Sequence, residues 1–322
     1  MKTVQSMTLR SRLMLCAVMA ASLPLASHAA SAKGLLIGFS QATLQSPFYV
    51  QLKNGAEAAA KASGDQIVVL DANGDVNKQN NDIQDLITKG VKVLVVNPVN
   101  PDAIAPALSA AADAHIPVMT VDRTVHDGVV TYVGRDNKQM GGLVGDAVVA
   151  HFAGHAKGVK VIEIQGDAGG TVMMARRDGF NAAAKAAGMQ LIMGPYAEYV
   201  RSNAVTAMQD LLQANPDVKV VYAHNDDMAL GALQVLNENN RTDVVVAGVD
   251  GLSEAVKDIA SGNQYVATAL NDPIRLAQVM VATAQQVAAG QKEPAFINAG
   301  TAAITKQNVA DYNTDGLFSR TK

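Results

Sequence analysis

Charged and carboxamide side chains stand at the carboxyl ends of several apolar segments of this sequence. The clearest case is the run Val118–Val121, which Pro117 keeps from being helical and which an acid and a base follow at once. The residues at such ends are Asp122, Arg123, Asn225, Asp250 and Asn271. In open parallel sheets, ligands bind in the crevice outside the carboxyl ends of the strands. Because carboxylates, guanidiniums and carboxamides form paired hydrogen bonds, these residues suit the adjacent hydroxyls of a sugar.

One further charged residue and three aromatic residues extend this candidate site. Arg176 lies in a predicted helix, Phe48 and Tyr49 open the first predicted helix, and Tyr199 follows a later strand. Aromatic faces would stack on the apolar C–H faces of a sugar ring. From the residues alone, two plainer interpretations stay open: core packing for the first two aromatics, and a strand-end salt bridge for the acid and base after Val121.

Three neighbouring features are predicted to be structural. Asp226, directly after Asn225, is expected to cap the N-terminus of the following helix. The glycine-rich segment 166–170 is expected to be a tight strand-to-helix connection. His151 and His155 have the spacing of metal ligands on a helix, but no acid lies nearby and Gly154 stands between them, so we predict no metal site.

Catalytic and cofactor motifs are missing from the sequence. It contains no Gly-x-Ser-x-Gly elbow, no phosphate loop that ends in Gly-Lys-Ser/Thr, and no Gly-x-Gly-x-x-Gly after the first strand. We therefore predict a binding protein without catalytic residues, metal or cofactor. The competing class is an exported hydrolase or isomerase that uses Asp122 or Asp250 as acid or base.

The elements that must position these residues alternate regularly. A strand over Leu35 to Ser40 is followed by a helix that Pro47 opens, and the same unit repeats along the chain as far as a last helix from Ile274 to Val287. Such alternation predicts parallel sheets with helices on both faces. Because there are too many strands for one sheet, we predict an α/β fold of two doubly wound parallel-sheet lobes that face each other across a cleft.

Length, charge and the N-terminus indicate an exported protein. The 322 residues suffice for two domains, and the net charge of −3 argues against nucleic acid or an anionic membrane as partner. Residues 1–29 are predicted to be a signal peptide: Lys2, Arg10 and Arg12 precede an apolar stretch, and we expect cleavage after Ala29, with Ala30 or Ala32 as alternatives. Cys16, the sole cysteine, would leave with this segment, so we expect no disulfide in the mature chain.

Five stretches of the sequence resemble the periplasmic sugar-binding proteins of bacterial ABC importers, in the ribose-binding branch above all. They are Ser46-Pro47-Phe48-Tyr49, Val121-Asp122-Arg123, Ala175-Arg176-Arg177-Asp178-Gly179-Phe180, the segment from Asn225 to Leu233, and Gly248-Val249-Asp250-Gly251. The resemblance implies that Phe48, Tyr49 and Tyr199 sandwich a sugar ring. It also implies that Asp122, Arg123, Arg176, Asn225, Asp250 and Asn271 bind its hydroxyls, with Ser46 at a further contact position.

The resemblance also implies an organisation and partners. The lobes would comprise residues 34–135 plus 272–300 and residues 136–271 plus 301–322, joined by a hinge of several segments. A monomeric periplasmic protein of this kind closes on its sugar and docks on a membrane permease, and in some relatives on a chemoreceptor. Sugar-responsive repressors share the fold, but a predicted signal peptide occupies the place of their DNA-binding segment.

The identity of the sugar rests on fewer residues. Ser46, Tyr49, Tyr199 and Asn271 depart from the ribose pattern, where an asparagine, two phenylalanines and a glutamine are usual. The segments 38–41 and 222–227 are similar to those of galactofuranose-binding relatives. We predict D-ribose on the strength of the first-helix entrance, with galactofuranose, another aldose or a polyol as alternatives. A purely sensory role is the alternative to import.

Overall fold

The computed structural model describes residues 34–262 and 264–322; the predicted signal peptide lies outside these residues. Within them the strands are β1 (Leu36–Gln41), β2 (Gln66–Asp71), β3 (Val93–Val96), β4 (Val118–Val121), β5 (Tyr132–Gly134), β6 (Lys160–Gln165), β7 (Gln190–Tyr196), β8 (Val220–Ala223), β9 (Val245–Ala247), β10 (Tyr265–Ala269), β11 (Phe296–Asn298), β12 (Ala303–Thr305), β13 (Tyr312–Asn313) and β14 (Arg320–Thr321). The helices are α1 (Pro47–Ala62), α2 (Val76–Thr88), α3 (Ala105–Asp113), α4 (Asn137–His151), α5 (Thr171–Ala186), α6 (Arg201–Ala214), α7 (Asp226–Glu238), α8 (Ser253–Ser261) and α9 (Pro273–Ala288).

Twelve of these strands form two six-stranded sheets of similar design, and β13 and β14 form a separate antiparallel pair. The first has the order β11-β5-β4-β3-β1-β2 and is parallel throughout. The second has the order β12-β10-β9-β8-β6-β7, and only its edge strand β12 runs antiparallel to its neighbour. The predicted fold of two doubly wound parallel-sheet lobes is therefore confirmed.

The sequence analysis predicted no strand after the last helix, but the chain forms further strands beyond α9. β11 extends the first sheet and β12 extends the second, and each is only three residues long. β11 is largely exposed, with Phe296 at 40% exposure, and it carries no apolar run. Such short edge strands lack the pattern by which buried strands are recognised, since pairing to an existing sheet edge forms them.

Helix α5 is held unusually close to α4, and this places Arg176. A Cβ on Gly141 would lie 2.1 Å from the Arg176 carbonyl oxygen, and a Cβ on Gly179 would lie 2.0 Å from the carbonyl oxygen of Lys138. The two helices therefore pack backbone against backbone at these glycines. The contact holds the first half of α5 in register with the carboxyl ends of the second sheet.

The chain passes from one sheet to the other three times, between β5 and β6, between β10 and β11, and between β11 and β12. Arg135 connects all three passages. Its Nε donates to the Gly300 carbonyl at 2.7 Å, its Nη1 to Asn271 Oδ1 at 2.6 Å, and its Nη2 to the Asp272 carbonyl at 2.9 Å. The buried guanidinium thus satisfies acceptors on each segment and holds the three together.

Candidate ligand-binding site

Three residues that come after strands adopt backbone conformations that few non-glycine residues adopt. Asp122 follows β4 with a φ of 62°, Asp250 follows β9 with a φ of 126°, and Tyr199 precedes α6 with a φ of 59°. Such conformations cost about 1–3 kcal/mol each and persist where the surrounding structure holds them. All three residues line one cavity, so three of the positive-φ positions lie at the predicted site.

The cavity is lined by most of the predicted residues. It is lined by Ser46, Phe48, Tyr49, Asp122, Val172, Arg176, Tyr199, Asn225 and Asp250. Eight of these nine residues were predicted from the sequence; Val172 was not. Arg123 and Asn271 are the two predicted residues that do not line the cavity.

On the side of the second sheet, the cavity is bounded by an ion pair. Arg176 Nη2 lies 3.2 Å from Asp250 Oδ1, and Arg176 Nη1 donates to the His224 carbonyl at 2.6 Å. Asn271 Nδ2 donates to the same Asp250 oxygen at 2.9 Å. Asn271 therefore orients a cavity residue instead of lining the cavity, and through its other bond it links Asp250 to Arg135.

On the side of the first sheet, Arg123 is held by three protein groups. Its Nη2 donates to the Tyr49 hydroxyl at 2.9 Å and lies 3.1 Å from Asp167 Oδ2, and its Nη1 donates to the Pro98 carbonyl at 3.3 Å. Asp167 was missed because segment 166–170 was expected to be only a connection. The segment does join β6 to α5, but its acid also forms this buried pair.

Asp122 differs from its neighbour Arg123 in having no such partners. Among the described residues, no group donates a hydrogen bond to its carboxylate, although the residue is only 6% exposed. Burial raises the pKa of this carboxyl, against the opposing effect of the Arg123, Arg176 and Arg135 charges. The backbone of Asp122 is held by Tyr132, whose hydroxyl donates to the Asp122 carbonyl at 2.8 Å. The carboxylate is thus available to a ligand.

The end of β8 corrects the prediction for Asp226. Asn225, not Asp226, caps α7, because Asn225 Oδ1 accepts from the Met228 N–H at 2.9 Å. Asp226 is fully buried and accepts from the Tyr265 hydroxyl at 2.6 Å, the Thr268 hydroxyl and the Leu252 N–H. It is a structural acid that joins α7 to β10. Burial raises its pKa to about 6, and these hydrogen bonds oppose the shift.

His224 and Glu163 form a second buried pair near the cavity. The sequence analysis gave neither residue a role. His224 Nε2 lies 2.7 Å from Glu163 Oε1, and His224 Nδ1 accepts from the Gly166 N–H at 3.2 Å. Because Nδ1 accepts, the proton of the neutral ring is on Nε2 and is donated to Glu163. Burial lowers the pKa of His224, against the effect of Glu163. The pair anchors the start of the segment that carries Asp167.

Three residues that the sequence analysis missed thus support the site: Val172, Arg135 and Asp167. Val172 belongs to an ordinary helix face, and Arg135 and Asp167 stand alone in loops, so no local pattern marked them.

The described residues were also compared with the requirements of a metal site and of a membrane-spanning helix. Residues 34–262 and 264–322 contain no cluster of three acids, histidines or cysteines, and none of their helices has the length and apolar character that a membrane crossing requires.

Comparison with known proteins defines the class. Residues 37–292 match the family model of the periplasmic binding protein domain. The ribose import binding protein of Bacillus subtilis is 36% identical over 274 residues, which are 85% of this chain and 88% of that protein. The galactofuranose-binding protein of Escherichia coli is 30% identical over 73% of this chain and 77% of that protein. A crystal structure of an ABC transporter solute binding protein from Mycobacterium smegmatis with bound glycerol is 57% identical, with a TM-score of 0.86, and covers 89% of this chain and 99% of that chain.

The chain belongs to the periplasmic binding protein family, in its type I sugar-binding branch. The predicted resemblance to ribose-binding proteins is confirmed. Members of this family bind substrates without converting them, so the prediction that the chain is not an enzyme is confirmed as well.

Proposed function

We propose that this protein is the exported binding component of an ABC importer and binds D-ribose in the cavity between its sheets. The observation that carries the proposal is the cavity itself, whose lining combines two carboxylates, one guanidinium and one carboxamide with three aromatic rings. Planar polar groups bind adjacent hydroxyls in pairs, and aromatic rings cover the C–H faces of a sugar.

Three further features support a hydroxyl-rich ligand. The Ser46 side chain precedes α1 but makes no capping bond, so its hydroxyl is available to a ligand. The Asp122 carboxylate is buried without a protein donor, and the Tyr199 hydroxyl is buried without a partner among the described residues. Leaving such groups unpaired costs free energy, so a ligand that supplies a hydroxyl to each is favoured.

A linear polyol is the second candidate. The glycerol in the Mycobacterium smegmatis structure, together with its 57% identity to this chain, favours it. The tyrosines at positions 49 and 199 also add hydroxyls to a site in which phenylalanines are usual in ribose-binding relatives. Galactofuranose and other aldoses remain alternatives, since the galactofuranose-binding relative is 30% identical.

The proposed mechanism of uptake is closure followed by docking. We assign residues 34–135 plus 272–300 to one lobe and 136–271 plus 301–322 to the other. A sugar that contacts both lobes binds the closed state more tightly and shifts the population towards it. The closed monomer would then dock on the membrane permease, and a chemoreceptor is the competing partner. Deleting the gene and measuring ribose uptake against chemotaxis separates import from a purely sensory role.

Calorimetric titration of the mature protein with a panel of ligands tests the choice of sugar. The panel contains D-ribose, galactose as the source of its furanose form, D-arabinose, xylitol, ribitol and glycerol. We expect D-ribose to bind most tightly, because an analogue that lacks or misplaces one hydroxyl leaves a buried polar group unpaired. Tight binding of a polyol, with D-ribose silent at millimolar concentration, would contradict the choice of ribose and leave the family assignment intact.

A further inference from the structure

Arg123 and Asp167 form an ion pair that joins the two sheets. Arg123 follows β4 of the first sheet and Asp167 follows β6 of the second, yet Arg123 Nη2 lies 3.1 Å from Asp167 Oδ2. The two side chains are 8% and 12% exposed. The pair therefore lies inside the cleft, although neither residue lines the ligand cavity.

The segment between β6 and α5 is shaped to present this acid. A Cβ on Gly170 would lie 2.2 Å from Asp167 Oδ1, so only glycine leaves room for the carboxylate there. At the other end of the segment, the Gly166 N–H donates to the buried His224 ring, which is itself held by Glu163. Both ends thus fix where Asp167 projects.

Arg123 is equally fixed from its own sheet. Its guanidinium donates to the Tyr49 hydroxyl and to the Pro98 carbonyl, and both acceptors belong to elements of the first sheet's side. Both acceptors are neutral. The neighbouring Asp122 carboxylate adds a negative charge from the same sheet, and Asp167 adds the one in direct contact, from the opposite side of the cleft. When the sheets separate, both charges would return to water.

We propose that Asp167 is a positioning residue that acts through Arg123: it compensates the buried Arg123 charge and so allows the two lobes to adopt the closed arrangement before any sugar binds. Removing one partner of a buried pair leaves the other charge buried and uncompensated, which is far more costly than the pair is favourable. Loss of Asp167 therefore disfavours the closed arrangement specifically, since in an open protein Arg123 would be hydrated. Because Asp167 does not line the cavity, the loss should be the same for every ligand.

The test compares Asp167→Asn with the parent and with Asp178→Asn. Asp178 lies on the same helix α5, and its exposed pair with Arg177 lies outside the cavity lining, so the control removes the same charge from the surface. X-ray scattering without sugar should give a larger radius of gyration for D167N than for the parent and for D178N. In titrations, D167N should lose affinity roughly tenfold to a hundredfold for every ligand that the parent binds, with faster dissociation.

Two outcomes would overturn the proposal. One is a ligand-free radius of D167N equal to that of the parent, and the other is a loss of affinity confined to one sugar, which would make Asp167 a ligand contact. The ligand-binding arm rests on the proposed function, but the scattering arm needs no sugar. If the parent binds none of the panel, the proposed function fails while the scattering still decides the role of Asp167.

A second variant guards against simple misfolding. Arg123→Met with Asp167→Met removes both charges of the pair, so its ligand-free radius should lie closer to that of the parent than the radius of D167N does. Circular dichroism melting of all variants establishes that each is folded. A double variant at least as expanded as D167N would count against the ion pair as the cause.

Discussion

Arg176 and Asp250 form a nearly solvent-free ion pair at the edge of the ligand cavity, with Nη2 3.2 Å from Oδ1 and side-chain exposures of 4% and 7%. Burial raises the pKa of Asp250 to about 7, although Arg176 opposes the shift. Burial therefore disfavours the charged form of Asp250 in the folded protein. Such a charge is expected where the residue serves binding instead of stability.

This pKa shift predicts how the difference in stability between the parent and Asp250→Asn depends on pH. Since the folded pKa is raised above the unfolded value of 3.8, Asp250 contributes most to stability at low pH, and the contribution is lost as pH rises to about 7. The parent should therefore lose stability relative to D250N between pH 4 and pH 7, by up to about 1.4 kcal/mol per pH unit. Urea unfolding of both proteins across this range measures the difference, and a difference that is constant with pH would contradict the assignment.

Asp122→Asn should abolish sugar binding without weakening the fold. The carboxylate is buried, receives no hydrogen bond from the described residues and has a raised pKa, so replacing it relieves an unpartnered charge. We expect the melting temperature without sugar to be equal to or above that of the parent, and the affinity to fall by roughly a hundredfold or more as a charged hydrogen bond is lost. Equal affinity in calorimetry would remove Asp122 from the site, and a lower melting temperature would make it structural.

Gly166→Ala should damage the site through Tyr199. A Cβ at this position would lie 2.2 Å from Tyr199 Cζ, so the ring would have to leave its place against the cavity. We expect a loss of affinity of roughly tenfold, consistent with the displacement of one stacking ring. Gly142→Ala is the matched control, since its nearest contact would be 3.9 Å away and alanine favours the helix. Similar affinities for the two variants would show that the ring is not needed.

Asp226→Ala tests a buried structural acid that does not line the cavity. Its loss leaves the Leu252 N–H and the hydroxyls of Tyr265 and Thr268 without their acceptor. We expect a loss of about 3 kcal/mol or more in the free energy of unfolding, with the affinity of the folded fraction kept. Asp227→Ala, which removes a partly exposed pair with Arg201, should cost no more than about 1 kcal/mol. If D226A is as stable as D227A, the three hydrogen bonds do not stabilise the fold as described.

We expect the two lobes to close when the ligand binds. Titrating the parent with D-ribose should reduce the radius of gyration, because a ligand that touches both lobes favours the state in which they approach. Asp122→Asn serves as the control, since it should remain at its ligand-free radius in the same sugar concentration. A parent that binds sugar with an unchanged radius would indicate a rigid site, a ligand held by one lobe, or lobes already closed by the Arg123–Asp167 pair; a larger ligand-free radius for D167N identifies the last case.

The regular alternation of the sequence was enough to predict the two parallel-sheet lobes, because buried strands and amphipathic helices leave periodic apolar patterns. The same logic placed Asp122, Asn225 and Asp250 at strand ends, and strand ends of a parallel sheet share one edge. β11 and β12 left no such pattern, since edge strands of three residues form by pairing to a sheet that already exists.

Only the tertiary structure decided which polar residues line the cavity and which of them pair with other protein groups. Arg123 and Asp122 are adjacent in sequence, yet Arg123 pairs with Asp167, which lies 44 residues further along the chain. No described residue donates a hydrogen bond to the Asp122 carboxylate. Asn271 likewise orients Asp250 instead of lining the cavity, because Arg135 holds it from another crossing segment. Pairing of this kind depends on distances across the cleft between residues remote in the chain, and a local pattern does not encode those distances.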